Sequence, residues 1–377
     1  MTCPDQRLLG HTQPDLTVRH YVAGGSENGG GIGRLVGYIL KEQGSTGRHL
    51  IQDTRGPRWQ PVPSGAKLTG AITALVWDRI ACPARVQHIH IAGRGSTARK
   101  LILTAVARAI GQPYLLHLHD FDYAADFRRR PVWQQTAIRR MFRRAERVIV
   151  LGERDRITAV DLLDVPPRRV VILRNGVPDP GPSIGRRGGV CHIVFLGQLG
   201  ARKGVPELLA AFAHPAMRRQ IWTATLAGDG PVETFRRQAE ALGLADRVHL
   251  PGWISETQAR KLCAQGHVLA LPSHGEGMAM AVIEGLAHGM AVVTTRVGAH
   301  DEVMADGQTC LFVPVGDPDA LAETLARLVA DPALRSQLGR AGRALFRAEM
   351  EMTSYVRALD LLYRRVNRTT RLQREPA

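Results

Sequence analysis

The sequence predicts an α/β protein made of two Rossmann-like, doubly wound domains facing a cleft. Three observations carry that expectation. Short β-type runs alternate with helix-length stretches almost from end to end, the pattern of βαβ units feeding parallel sheets. A Pro- and Gly-rich passage, Val177–Gly189, breaks this rhythm near the middle. The length, 377 residues, suits two cores of ordinary size better than one.

In the first half the strands are expected at Leu16–Val22, Arg48–Gln52, Val86–Ile91, Tyr114–His119, Val148–Leu151 and Val170–Leu173. Helices fall between them, notably Ile32–Gln43, Leu68–Ile80, Thr97–Ile110 and Val132–Arg144. The second half restarts at Cys191–Leu196 and continues through Ile221–Ala227, Arg247–Leu250, Val268–Leu271, Ala291–Thr294 and Leu311–Val313. From Pro318 to Arg371 the pattern is helical, with breaks near Asp331 and Ala348. The expected organisation is a first Rossmann-like domain over 1–178, a linker over 179–189, a second Rossmann-like domain over 190–350, and a helical tail over 351–377 that returns to the first domain.

Composition narrows the function classes. Hydrophobic residues are 44% and charged residues 22%, ordinary for a globular chain, which argues against disorder or a fibrous repeat. The five cysteines show no C-x-x-C pair, and no histidine cluster has zinc spacing, so neither a disulfide framework nor a structural metal is expected. With a polar start at Met1–Gly10 and no run of about 18 to 20 apolar residues, a cytoplasmic protein with no membrane span is expected. The formal charge of +16 points to an anionic partner: nucleic acid, a phosphorylated substrate or an acidic membrane face, with arginine-rich codon usage as the plainer alternative.

In open parallel sheets ligands sit at the carboxyl ends of the strands, so the loops there are the candidate chemistry. The first reads GGSENGGGIG, and Gly30, Gly31 and Gly33 would let backbone N–H groups approach a phosphate at a helix start; a flexible connection is the alternative. After the first strand of the second domain comes FLGQLGARKG. There Arg202 and Lys203 oppose a helix dipole unless an anion is bound, a solvated pair being the alternative. The segment LPSHGEGMAMAVIEGLAHGMAVV carries Glu276 before a helix expected to start near Met278, and Glu284 eight residues later. Between them Gly277, Met278 and Ala279 offer amides to a phosphate, and a glutamate in so apolar a helix needs a partner unless it faces solvent.

These segments, with LAGDGP, VHLPGWIS and CLFVPVGDPDAL, come in an order and spacing that resembles the retaining glycosyltransferases of family 4, which have the GT-B fold. The resemblance spans the second domain and, more loosely through GGGIG, LHLHD and RNGV, the first. It implies that Lys203 neutralises the donor diphosphate, Glu276 holds the donor sugar and Glu284 the ribose. It also implies that the Gly30–Gly33 loop covers the phosphates and that His119 lies beside the reaction centre. Where the family has an arginine after the strand-end glycine, this chain has Gln198, which removes one diphosphate contact. The activity implied is transfer of a sugar from a nucleotide-sugar donor to a lipid-linked or glycan acceptor in bacterial surface polysaccharide synthesis, with no metal or other cofactor.

The acceptor side is read from charge. Arginines of RRRPVWQQTAIRRMFRRAER, among them Arg139, Arg140 and Arg143, alternate with Trp133, Ile138, Met141 and Phe142 at helical spacing. This basic amphipathic helix suits an anionic membrane surface at the inner face of the cytoplasmic membrane; a core-packing helix with a solvated basic face is the alternative. Arg94, Arg99 and Lys100 would meet a phosphate on the acceptor. Two rival functions remain: a sugar-nucleotide epimerase of the same architecture, and a basic nucleic-acid-binding protein, against which the 5% aromatic content and lack of a stacking platform argue.

Overall fold

The computed structural model describes residues 16–27, 29–42, 47–181 and 189–372, with side chains to 367. Most of the expected linker, the polar start of the chain and Gln43 lie outside the described residues. The chain divides into two compact units, Met1–Pro178 with Met352–Ala377, and Asp179–Glu351.

The first unit contains β1 (Leu16–Val22), β2 (Gly47–Asp53), β3 (Val86–Ile91), β4 (Leu115–Leu118), β5 (Arg147–Val150) and β6 (Val170–Ile172). They form one parallel sheet in the order β2-β1-β3-β4-β5-β6. Helices cover the faces of such a parallel sheet, so β3, β4 and β5 are buried along almost their whole length. Tyr21, Ile89, Leu116 and Val148 pack with Leu103, Ala107, Ile138 and Phe142 from those helices. The helix Pro61–Ala81 is tied to the sheet by Asp78, fully buried, which accepts from Arg19 at 2.6 and 2.9 Å and also from Arg85. The last helix, Met352–Leu372, belongs to this unit: the Met352 amide bonds the Val177 carbonyl at 2.9 Å, and Tyr363 reaches His88 at 2.6 Å.

The second unit contains β7 (Cys191–Leu196), β8 (Trp222–Ala227), β9 (Val248–Gly252), β10 (Val268–Leu271), β11 (Ala291–Thr295) and β12 (Leu311–Val313). All its registered pairs are parallel, in the order β12-β11-β10-β7-β8-β9. Read from β9, this is the 3-2-1-4-5-6 order of the dinucleotide-binding fold, whose chain direction reverses between β7 and β10. The loops leaving those two strands therefore splay apart and leave a crevice between them. Phe212 stacks on Trp222, with ring centroids 4.7 Å apart, to anchor the helix Val205–Ala213 beneath β8.

No helix among the described residues is long and apolar enough to cross a membrane. Among the described residues Cys191, Cys263 and Cys310 are buried and form no disulfide.

Candidate functional site at the switch point of the second sheet

The loop after β7 ends in a single 3-10 turn, Ala201–Lys203, followed by Gly204 at φ 73° and then by the helix Val205–Ala213. Arg202 and Lys203 thus precede the helix in a turn of their own, a small correction to their expected position at its start. Gly204 cannot be another residue cheaply. A Cβ there would lie 2.0 Å from the Pro272 carbonyl oxygen, and left-handed backbone strains any L side chain. This close approach pins the Lys203 turn to the loop leaving β10, and the His274 amide adds a bond to the Arg202 carbonyl at 2.8 Å.

The two loops so joined bring Lys203 to Glu276, Nζ to Oε1 at 2.5 Å. The same carboxylate oxygen accepts from the Ser273 hydroxyl at 2.8 Å, and the Arg202 guanidinium stands 3.5 Å away while donating to the Gly275 carbonyl at 2.9 Å. Two cations share one carboxylate, leaving one net positive charge. Burial pushes the Lys203 ammonium below the usual lysine range, and nearby Arg202 adds to this, while Glu276 pulls it back. Ser273 and His274, the latter 2.7 Å from Glu207, were not singled out from the sequence. The only signal was the placement of Ser273 three residues before Glu276. Gln198 is exposed just beyond β7.

The helix carrying Glu284 begins at Met280, two residues later than expected, with Ala279 in extended backbone as its N-cap. This changes the expected row of open amides. The Ala279 N–H points at His300 Nε2, 3.4 Å away, and the Gly277 carbonyl accepts from the Ala299 amide at 2.8 Å. Met278 and Ala279 are buried. Burial lowers the His300 pKa, in spite of the opposing pull of Glu276. Glu284 is buried in the second turn, so the solvent-facing alternative does not hold.

In the first unit Gly30 and Gly31 are exposed at the start of the helix Gly30–Lys41, whereas Gly33 is buried. A Cβ on Gly33 would lie 2.6 Å from the Gly25 carbonyl oxygen, so this residue shapes the turn rather than facing a ligand. Asp53 braces that turn by accepting from the amides of Gly24, Arg55 and Gly56. Burial raises its pKa, but these bonds outweigh burial and leave it below the usual carboxylate range. His119 follows β4, its amide bonded to the Ile91 carbonyl at 2.9 Å, and burial pushes its imidazole down to about 3.

The basic groups of the first unit divide. Lys100 is fully buried, its ammonium bonded to the Thr54 hydroxyl at 2.7 Å and the Tyr21 carbonyl at 3.3 Å, and burial lowers its pKa. Its helical spacing from Thr97, Leu103, Thr104 and Ala107 puts it on the core face, so it does not meet an acceptor as expected. Arg99 is half-buried with its Nε shut away from any partner, and burial lowers its pKa. Arg94 is exposed, its backbone tied to Asp126 and Arg130. Arg139, half-buried, donates to the Leu162 carbonyl at 3.1 Å, pairs with Asp164 at 3.5 Å and lies over the Phe127 ring at 5.0 Å. Arg140 and Arg143 are exposed. Ile138, Met141 and Phe142 of the same helix are wholly buried, so the apolar stripe serves the core, as the plainer alternative had it.

Two doubly wound parallel sheets, the second with a cationic turn at its switch point, define the GT-B class. Residues 191–331 match the family described as Glycosyl transferases group 1. An alpha-D-kanosaminyltransferase of Streptomyces kanamyceticus is 26% identical over 299 residues, 74% of this chain and 77% of that protein. The lipopolysaccharide core biosynthesis glycosyltransferase LpsE of Rhizobium meliloti is 30% identical over 52% of this chain and 55% of its own length. The crystal structure of Anabaena HepE in complex with UDP-glucose superposes with a TM-score of 0.70 over 91% of this chain and 98% of that one, at 17% identity. Residues 191–331 thus carry a group 1 glycosyltransferase domain, and the chain has the GT-B fold. Its match to LpsE spans about half that relative's length.

Proposed function

We propose that the chain moves a sugar from a nucleotide-sugar donor to a glycan or lipid-linked glycan of a bacterial surface polysaccharide, with retention of anomeric configuration. The observation that carries this reading is the meeting of Lys203, Arg202 and Glu276 at the switch point, where a donor diphosphate would find fixed positive charge beside a carboxylate able to accept from sugar hydroxyls. The HepE complex with UDP-glucose and the lipopolysaccharide role named for LpsE support the donor and pathway class.

Cleavage of the anomeric carbon to phosphate bond places positive charge on the sugar and negative charge on the departing diphosphate. Lys203 and Arg202 face the second of these, and a preorganised donor of this kind is worth on the order of 3 kcal/mol. The acceptor hydroxyl attacks from the leaving-group side, its oxygen bonds the anomeric carbon, and its proton passes to the departing phosphate oxygen. The cations meet the diphosphate charge without a metal at that position. Glu284 would accept from the ribose.

For the acceptor, Arg94 and the exposed Arg140 and Arg143 remain available to anionic groups. Trp133 and Val132, 69% and 77% exposed at the start of the same helix, supply the apolar edge that a peripheral contact with an anionic membrane needs.

The deciding experiment is a thermal-shift screen against UDP, GDP and ADP and their sugars, followed by product analysis. Stabilisation by one nucleoside diphosphate, lost in Lys203→Met, and transfer with retention support the proposal. Binding unaffected by Lys203→Met, or an inverted product anomer, overturns the corresponding part. Conversion of the donor sugar with no acceptor present would favour an epimerase instead.

A further inference from the structure

Six histidines of the first unit stand scattered along the sequence, yet the fold gathers them. His20 on β1 is paired in register with His88 on β3, and His90 on β3 with His117 on β4. Side chains two residues apart on a strand share a face, so His88 and His90, like His117 and His119, point the same way. The last helix of the unit lies over them through Tyr363.

Within this group we infer a first-row transition-metal site, suited to Zn²⁺, formed by His20, His88 and His90. One ring nitrogen from each lies within 4.8 Å of the others, and all three residues are buried. His20 Nδ1 and His90 Nε2 are 3.0 Å apart, close to the roughly 3.3 Å between nitrogens on a tetrahedral zinc. His88 Nε2 is buried with no hydrogen-bond partner.

The remaining ring nitrogens are what distinguish this group from a chance cluster. A metal-bound histidine has its second nitrogen oriented by a neighbour. Here all three do: His20 Nε2 lies 2.9 Å from His49 Nδ1, His88 Nδ1 2.6 Å from the Tyr363 hydroxyl, and His90 Nδ1 2.9 Å from His119 Nε2. Asp360, three residues before Tyr363 on the same helix, is buried with it. Three imidazoles with no thiolate select zinc, cobalt or nickel over the hard cations magnesium and calcium. Three protein ligands leave one position of a tetrahedral ion for water.

A second group, His90, His117 and His119, shares His90, but neither nitrogen of His117 has a partner, so its ring lacks the orienting bond. The ion is therefore assigned to the first group.

The test is metal content. The untagged full-length chain, expressed with zinc or cobalt in the medium and dialysed, is assayed by inductively coupled plasma mass spectrometry. The cobalt form is examined for the visible bands of a nitrogen-ligated ion. One ion per chain is expected, lost in His88→Gln and kept in His249→Gln, a variant of an exposed histidine in the second unit. Should His88→Gln fail to fold, Tyr363→Phe tests the same ligand through its outer bond and should weaken zinc affinity about 10- to 100-fold. Less than a tenth of an ion per chain in the folded wild type would overturn the site. So would full retention in a folded His88→Gln, or loss in His117→Gln alone.

Discussion

Lys203 and Glu276 can be separated as stability and as chemistry by one double-mutant cycle. At 2.5 Å and an effective dielectric constant of about 20 their gross attraction is about 7 kcal/mol, most of it offset by several kcal/mol of desolvation per ion. With side chains only 14% and 9% exposed, removing the lysine alone leaves a carboxylate stranded, a defect that costs roughly 3 to 5 kcal/mol where nothing else compensates. Here the Ser273 hydroxyl and Arg202 at 3.5 Å keep part of the compensation, so Lys203→Met should cost about 2 to 3 kcal/mol. For a unit of this size that lowers Tm by about 4 to 12 °C. Adding Glu276→Gln removes the stranded charge and should restore most of the melting temperature. Transfer should stay down about a hundredfold or more in both variants, because the donor facing the departing diphosphate is gone. Differential scanning fluorimetry gives the first quantity and release of nucleoside diphosphate the second. A single variant as stable as wild type, or a double variant recovering transfer to within a few-fold, would refute the reasoning.

Gly204→Ala should lower both stability and transfer, since its Cβ would meet the Pro272 carbonyl at 2.0 Å; a variant with unchanged melting and kcat would show that the two loops are not pinned there. Asp78→Ala strands Arg19 and Arg85 in the first unit and should cost about 3 to 5 kcal/mol by urea denaturation, a loss under 1 kcal/mol being contrary to the buried network. His300 has a folded pKa below its unfolded 6.5, so the unfolded chain takes up the proton first. Its contribution holds above pH 6.5 and is lost as pH falls below it, by at most about 1.4 kcal/mol per pH unit. The stability gap between wild type and His300→Asn should therefore shrink from pH 7 to pH 5 in urea melts, and a constant gap would contradict this. Arg140→Glu with Arg143→Glu should reduce sedimentation with anionic liposomes at low salt, and equal sedimentation would remove these residues from any membrane contact.

How far the sequence could be read follows from the range over which each signal acts. The strands were legible chiefly where a strand covered on both faces is a local apolar run, as in Val268–Leu271 and Ala291–Thr295, and the helical breaks read near Asp331 and Ala348 fall at or beside the helix ends. Helix starts were less so. The Ala279 cap is set by His300 and Gly298 from another loop, and nothing near Met278 in sequence announces that. The same limit explains Lys100, which reads as one more cation beside Arg99 until its helical phase against β1 becomes visible. Lys203 and Glu276 were each visible from a resemblance, with separate tasks. Their bond depends on β7 and β10 being neighbours across 73 residues, and only strand order decides that.

The histidines carry this argument furthest. A zinc motif is sought as ligands close in sequence, and by that measure His20 and His88 are unrelated. In a parallel sheet, however, ligands converge by register: H-x-H in one strand beside H-x-H in the next puts four imidazoles on one face, whatever the chain length between. His88-Ile89-His90 and His117-Leu118-His119 were that signal, and a buried strand has no reason to alternate imidazole with Ile and Leu for packing alone. The charge of +16 is diluted by the same logic, since Arg19, Arg85 and Lys100 are held in buried bonds and Arg139 lies against a ring. Of the cations singled out from the sequence, those left to meet an anion are Arg94, Arg140 and Arg143 in the first unit and the Arg202–Lys203 turn of the second. On the proposed function, ionic-strength dependence should divide between acceptor binding at the exposed groups and donor binding at a largely buried lysine that salt screens less.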